Sequence, residues 1–210
     1  MRMAWRGLAA VLLQAVFAAC GAAQTTYVID PAKSTLEIDV YREGFLKVFG
    51  HDHLVAAKDF SGAVQFDPNH VESSSVTLRV AAKSLTVADP GESEKERGQV
   101  QATMQGDSVL DVARFPEITF QLTRVQKAGR LGDAWRISLT GTLALHGVQK
   151  PVTFPVVVRL LADELNAQGE VFLLQTDFGI TPVKVAGGTV RVKDRLRVRF
   201  VIHALARLKS

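Results

Sequence analysis

Between residues 143 and 155 the chain reads LALHGVQKPVTFP, and no other stretch limits the possible fold as tightly. Side chains alternate at period two along an extended backbone, so Leu143 and Leu145 share one face while Thr142, Ala144 and His146 share the other. Gly147 frees the backbone for a bend. Pro151 is placed at the start of the returning strand, where a missing N–H is tolerated. Val152, Phe154, Val156 and Val158 then rebuild an apolar face. The pattern predicts an antiparallel hairpin with one dry side.

The same alternation recurs from residue 24 onward. Leu36, Ile38 and Val40 oppose Thr35, Glu37 and Asp39; Gly62, Val64 and Phe66 oppose Ala63 and Gln65. Val76, Leu78 and Val80 form a third set, and Ile118, Phe120 and Leu122 a fourth. Trp135, Ile137, Leu139, Leu143 and Leu145 make a long one-sided run through Gly141, which reads as a bend or a close approach. Near the C-terminus Leu196, Val198, Phe200 and Ile202 face one way, and Arg195, Arg197 and Arg199 the other. Strict alternation implies antiparallel sheet with one face dry and one wet. About eight such strands suffice to close a barrel around side chains or one ligand. The arginine run is then the outer face of a strand.

Two segments break the rhythm. Glu94–Gln105 lacks β-branched alternation and reads as a short helix interrupted near Gly98, with Val100 and Met104 turned toward the barrel. Residues 44–53, GFLKVFGHDH, place Phe45, Leu46, Val48 and Phe49 in a loop or short helix that needs an apolar surface to cover.

Residues 1–23 read as an export signal, and 24–210 as one barrel domain. Arg2 and Arg6 precede an uncharged apolar run too short to span a membrane. Two processing routes stay open. Small residues Gly21, Ala22 and Ala23 before Gln24 suit release into the periplasm as a soluble protein. Ala18-Ala19-Cys20-Gly21 resembles a lipobox, although Phe17 stands where that motif has Leu. Cys20 is the only cysteine, which excludes an intrachain disulfide. The net charge of +4, two units of it from the signal, gives no case for nucleic acid as the main partner.

His51-Asp52-His53 is the stretch that invites a metal, since residues two apart on a strand share a face. A third ligand would come from His70, His146 or His203, and nothing in the order of residues selects one. The favoured reading has these imidazoles bonding to nearby backbone or to a ligand head group, with no metal or other cofactor. Gly106-Asp107-Ser108-Val109 has the wording of a serine-hydrolase nucleophile block. His203 lacks the Asp three residues earlier that such enzymes carry, so no catalytic role is assigned.

Six segments in order resemble the YceI-like family of small exported barrels. They are Tyr27-Val28-Ile29-Asp30-Pro31-Ala32-Lys33-Ser34, Gly50-His51-Asp52-His53, Phe60-Ser61-Gly62, Phe115-Pro116-Glu117-Ile118-Thr119-Phe120, Leu145-His146-Gly147-Val148 and Asp177-Phe178-Gly179-Ile180. The resemblance implies an all-β, antiparallel, eight-stranded lipocalin-like barrel with one short helix between strands. It also implies a non-enzymatic, exported protein that holds a long isoprenoid lipid, of polyprenyl phosphate or quinone type. Parity along the strands nominates Ile38, Val40, Phe66, Phe120, Trp135, Ile137, Leu139, Phe154 and Phe200 as the inner wall. Phe45, Phe49, His51, His53 and Met104 are nominated at the mouth. The alternative is a metal-dependent barrel enzyme using His51 and His53. Peripheral membrane contact, and either a monomer or a homodimer, are compatible with both.

Overall fold

The computed structural model describes residues 24–44, 52–185 and 190–207. Its strands are β1 (Thr25–Ile29), β2 (Thr35–Gly44), β3 (His53–Ala57), β4 (Phe60–Phe66), β5 (Ser75–Ala81), β6 (Leu85–Val87), β7 (Glu117–Leu131), β8 (Ala134–Leu145), β9 (Val148–Leu161), β10 (Glu164–Leu174), β11 (Lys184–Val185) and β12 (Val190–Ala206). One helix, α1 (Glu94–Gln105), lies between β6 and β7. All pairings are antiparallel, in the order β1-β4-β5-β7-β8-β9-β10-β12, and β12 returns to β1 through Tyr27↔Ala206 and Ile29↔Ala204. This is a closed eight-stranded barrel.

Eleven of the twelve segments make eight staves because three staves are broken, and β11 is a short side pairing on β12. β2 continues β1 along the edge of β12, β3 pairs with β2, and β6 pairs with β3. The breaks fall at residues 30–34, 58–59 and 82–84. The first is a turn held by Ser34, whose hydroxyl donates to the Asp30 carbonyl at 2.7 Å. Closing a barrel demands strong local bending, and these interruptions supply it.

Beyond β5 the wall opens, because β6 follows β3 while β7 starts only at Glu117, opposite Ala81. Helix α1 fills the gap. The Gln101 side chain accepts from the Val87 N–H at 2.8 Å and donates to the Leu85 carbonyl at 2.7 Å. One amide thus satisfies two edge groups of β6 that a neighbouring strand would otherwise take. α1 begins at a capping box: Glu96 N–H donates to Ser93 Oγ, and Ser93 N–H donates to Glu96 Oε2 at 3.0 Å. The helix is continuous through Gly98, contrary to the interruption anticipated there, since Gly98 has open space around it. An exposed glycine weakens a helix by about 1 kcal/mol without breaking it.

The 143–155 hairpin turns in two residues, with positive φ at His146 (51°) and Gly147 (75°). That is the backbone twist a tight hairpin favours. β9 therefore starts at Val148, and Pro151 lies inside it, opposite Thr142, rather than at its start.

Inside the barrel, Phe120, Phe154 and Phe200 form a row with ring centroids 5.5 and 5.8 Å apart. Glycines make the space. A Cβ at Gly141 would collide with the Phe120 ring, and one at Gly169 would lie 2.8 Å from the Phe200 ring. The arginines of β12 face outward and are matched by carboxylates: Arg197 with Glu170, and Arg199 with Asp39 and Glu37. These contacts hold both guanidinium pKa values above the ordinary range, chiefly through hydrogen bonds to Glu170 and to Asp39 respectively. Arg195 stacks over Phe172 instead, its guanidinium carbon 3.9 Å from the ring centroid.

Candidate functional site

The barrel encloses a cavity of about 580 Å³, within the range of roughly 300–1,000 Å³ typical of small-molecule sites. Ten of the nominated side chains line it: Ile38, Val40, His53, Phe66, Met104, Phe120, Ile137, Leu139, Phe154 and Phe200. Val100 joins Met104 on the barrel side of α1. Nearly all remaining wall residues are Val, Leu or Ile from the inner parity of the strands. Trp135 has the inner parity and packs on the core, but lies beyond the cavity. It is the second residue of β8, packs edge-on against Phe66 at 5.5 Å, and lies beneath the Arg130 guanidinium. It covers the end of the barrel away from α1 and is not part of the cavity wall. Phe45, Phe49 and His51, together with Leu46 and Val48, lie outside the described residues.

Polar groups in the wall are gathered at the α1 end. Arg42 comes from β2, His53 from β3, Gln99 and Thr103 from α1, Gln175 from the short helical turn after β10, and Arg191 from β12. Ser74 is at the opposite end. Arg42 went unnoticed in the sequence, although the signal was present: one more step of the Leu36-Ile38-Val40 register places it inside. Its Nε and Nη1 are buried and have no hydrogen-bond partner.

His53 is held by residues far along the chain. Its Nδ1 donates to Asp89 Oδ2 at 2.7 Å, and the other Asp89 oxygen accepts from the Leu54 N–H at 2.5 Å. Glu92 Oε1 lies 3.7 Å from the same ring nitrogen. Asp89 is 5% exposed. With Nδ1 engaged, Nε2 is the ring nitrogen left to meet a ligand. His53, Asp89 and Glu92 together offer three ligand atoms within 4.8 Å of one another, a spacing that could hold a cation. The three histidines nominated as a third ligand are bonded elsewhere: His70 to Asp67, His146 to the Phe178 carbonyl, and His203 to Glu164.

Residues 27–204 match the family model described as the YceI-like domain. The chain belongs to the YceI-like family. A relative from Yersinia pestis (strain Pestoides F), named only as a UPF0312 protein, is 30% identical over 156 residues, covering 73% of this chain and 68% of its own. Among solved structures, BcnA of Burkholderia cenocepacia aligns over 84% of this chain and 99% of its own, with TM-score 0.66 and 23% identity. A polyisoprenoid binding domain from Saccharophagus degradans aligns over 86% and 98%, with TM-score 0.61 and 16% identity. At those identities the two structures establish the shared fold.

Three of the YceI-like segments meet at one place in this fold. The Phe115 ring packs against His146 with centroids 4.8 Å apart, occupies the space beside Gly147, and His146 donates to the Phe178 carbonyl at 3.2 Å. Phe178 is 1% exposed, and Gly179 leaves the turn at φ 73°. These segments hold the α1 end of the barrel in shape and contribute Ile180 to the cavity wall.

Proposed function

We propose that this protein is a non-enzymatic carrier or store for a long isoprenoid lipid, exported to the periplasm through residues 1–23. The distribution of chemistry in the cavity carries the reading: an apolar interior runs down the barrel, and polar side chains cluster at the α1 end. A long unbranched tail with one polar head matches that distribution. Each CH₂ withdrawn from water contributes about 0.8 kcal/mol, so the tail supplies most of the affinity and the head selects orientation. The likeness to a polyisoprenoid binding domain supports the same class of ligand.

Mass spectrometry of lipid extracted from the purified protein tests the reading, with one prenyl chain per barrel as the expected result. Protein that copurifies with no lipid and binds no prenyl probe would overturn it. Replacing Leu12 and Leu13 with charged residues should hold the protein inside the cell; continued export would sink the signal assignment.

A second reading is favoured by one observation, the His53–Asp89–Glu92 cluster. Both Asp89 oxygens already have hydrogen-bond partners, which accounts for that residue without an ion. Stoichiometric metal in the purified protein, lost in Asp89→Asn, would move the site to the metal-dependent enzyme.

A further inference from the structure

We propose that Arg42 is an anion anchor at the inner mouth of the barrel, and that the ligand is an acidic lipid whose head is an oxyanion. A phosphate ester is the first candidate. This deepens the carrier reading and rests on it.

Strand β2 brings the group in by register alone. Ile38 and Val40 line the cavity, and Arg42, two residues on, continues the same face. The guanidinium then stands at the polar end of the cavity with Nε and Nη1 both buried and without partners. Other arginines along this sheet are treated differently. Arg191 is paired with Glu43, Arg197 with Glu170, and Arg199 with Asp39.

Three carboxylates near it in the chain or the sheet have other partners. Asp52 accepts from the Arg42 backbone N–H at 3.0 Å, Glu43 holds Arg191, and Asp89 holds His53 and Leu54. Glu92 turns Oε1 toward the His53 ring at 3.7 Å, and its Oε2 is buried without a hydrogen-bond partner. Among the described residues no carboxylate forms an ion pair with the Arg42 guanidinium.

A guanidinium cannot shed its proton to escape burial, and an unpaired buried charge is costly. The missing partner must therefore be able to carry charge. A neutral quinone carbonyl or a prenyl alcohol would satisfy one donor and leave the charge uncompensated. An oxyanion with several oxygens takes both donors and neutralises the charge, through the stronger class of charge-assisted hydrogen bonds. His53, oriented by Asp89 at the same end, offers a further polar contact beside the head. The apolar wall accepts the tail.

The test uses delipidated, full-length mature protein and four probes. Three share one prenyl length: a polyprenyl monophosphate, the corresponding polyprenol, and a quinone with that side chain. The fourth is palmitate. Wild type should bind the monophosphate at least about tenfold more tightly than the alcohol or the quinone, the scale of one charged hydrogen bond. Arg42→Met should reduce that ratio to near one by weakening the phosphate alone. Arg42→Lys should keep part of the preference. The melting temperature of delipidated Arg42→Met should be unchanged or raised, because a buried unpaired charge is gone; this separates lost recognition from lost folding. Palmitate binding that also depends on Arg42 extends the class to carboxylate lipids, and its absence confines the class to phosphates.

Equal affinity for phosphate and alcohol in wild type would overturn the anion anchor while leaving the carrier reading intact. So would a preference that survives in Arg42→Met. Failure to bind any of the four probes would reject the carrier itself, and the anchor with it.

Discussion

Gly141 shows how much a single missing methyl contributes to this interior. The Phe120 ring and the Gln121 carbonyl occupy the position its Cβ would take. Gly141→Ala must push Phe120 toward Phe154 or bend β7, and overpacking of that kind costs about 1–3 kcal/mol. Chemical denaturation should show a loss of that size, and Phe120→Leu in the same chain should recover part of it, a coupling that a double-mutant cycle reads directly. Asp67 and His70 form a different kind of local device near the other end of the barrel. Their mutual hydrogen bond at 3.0 Å, aided by the Asn69 N–H on the carboxylate, lowers the Asp67 pKa below its ordinary 3.8 and raises that of His70 above 6.5. The lowered carboxyl contributes stability above 3.8 that is lost as pH falls through its folded value. The raised imidazole contributes below 6.5, and that part is lost as pH rises through its folded value. The stability difference between wild type and Asp67→Asn should therefore peak between 3.8 and 6.5 and shrink on either side. An NMR titration midpoint for His70 that stays put in Asp67→Asn would refute the pairing.

Helix α1 is bound to the barrel by polar contacts more than by burial, since none of its residues is buried. Its start depends on the Ser93–Glu96 capping box, and its seat on β6 depends on Gln101 and Gln105, the latter donating to the Lys83 carbonyl at 2.8 Å. Ser93→Ala should cost about 1 kcal/mol, confined to the helix. Gln101→Leu should free the Val87 N–H and the Leu85 carbonyl of β6. Hydrogen exchange at Val87 should quicken and bound lipid should leave faster, while the global melting temperature shifts little, because the closed wall of eight staves does not include α1. A large fall in melting temperature would instead make the helix part of the structural core. Phe178 is the opposite case. At 1% exposure it fastens the turn after β10 beneath the β8–β9 hairpin. Phe178→Ala should cost about 3–5 kcal/mol in unfolding experiments and leave the order of lipid preference unchanged.

For the molecule as a whole, closure and cavity are linked. Eight antiparallel staves with β12 returned to β1 leave the barrel wall without a free edge except where β6 meets α1, so the interior can be apolar along its length. A barrel of this size is filled by side chains unless small residues leave room. Ala167 and the aliphatic residues around it are small enough to do so. Ala167→Phe should place a ring in the ligand volume and lower the lipid retained per molecule, with a smaller change in the melting temperature of the delipidated protein. Retention equal to wild type would show that the tail takes another route. Saturating lipid should raise the melting temperature of wild type as expected for a ligand that binds only the folded state.

Alternation at period two determines the class of this protein from the order of residues alone. Leu36, Ile38 and Val40, or Leu196, Val198 and Phe200, can be only one-sided strands, and the side that turns inward follows from water's rejection of apolar surface. Ordered segments such as 115–120, 145–148 and 177–180 carried the family. The division of three staves, the exclusion of Trp135 from the cavity and the run of α1 through Gly98 were not readable there. Each depends on how a closing sheet bends and where its ends fall, which no local pattern encodes. The partners in the candidate site are long-range as well. Asp89 reaches His53 across 36 residues, and Gln101 completes an edge of β6 that exists only once β7 has departed. Parity alone could put Arg42 inside the barrel. Only the assembled sheet, in which Asp52 takes the Arg42 backbone N–H and Glu43 takes Arg191, leaves two buried guanidinium nitrogens without partners.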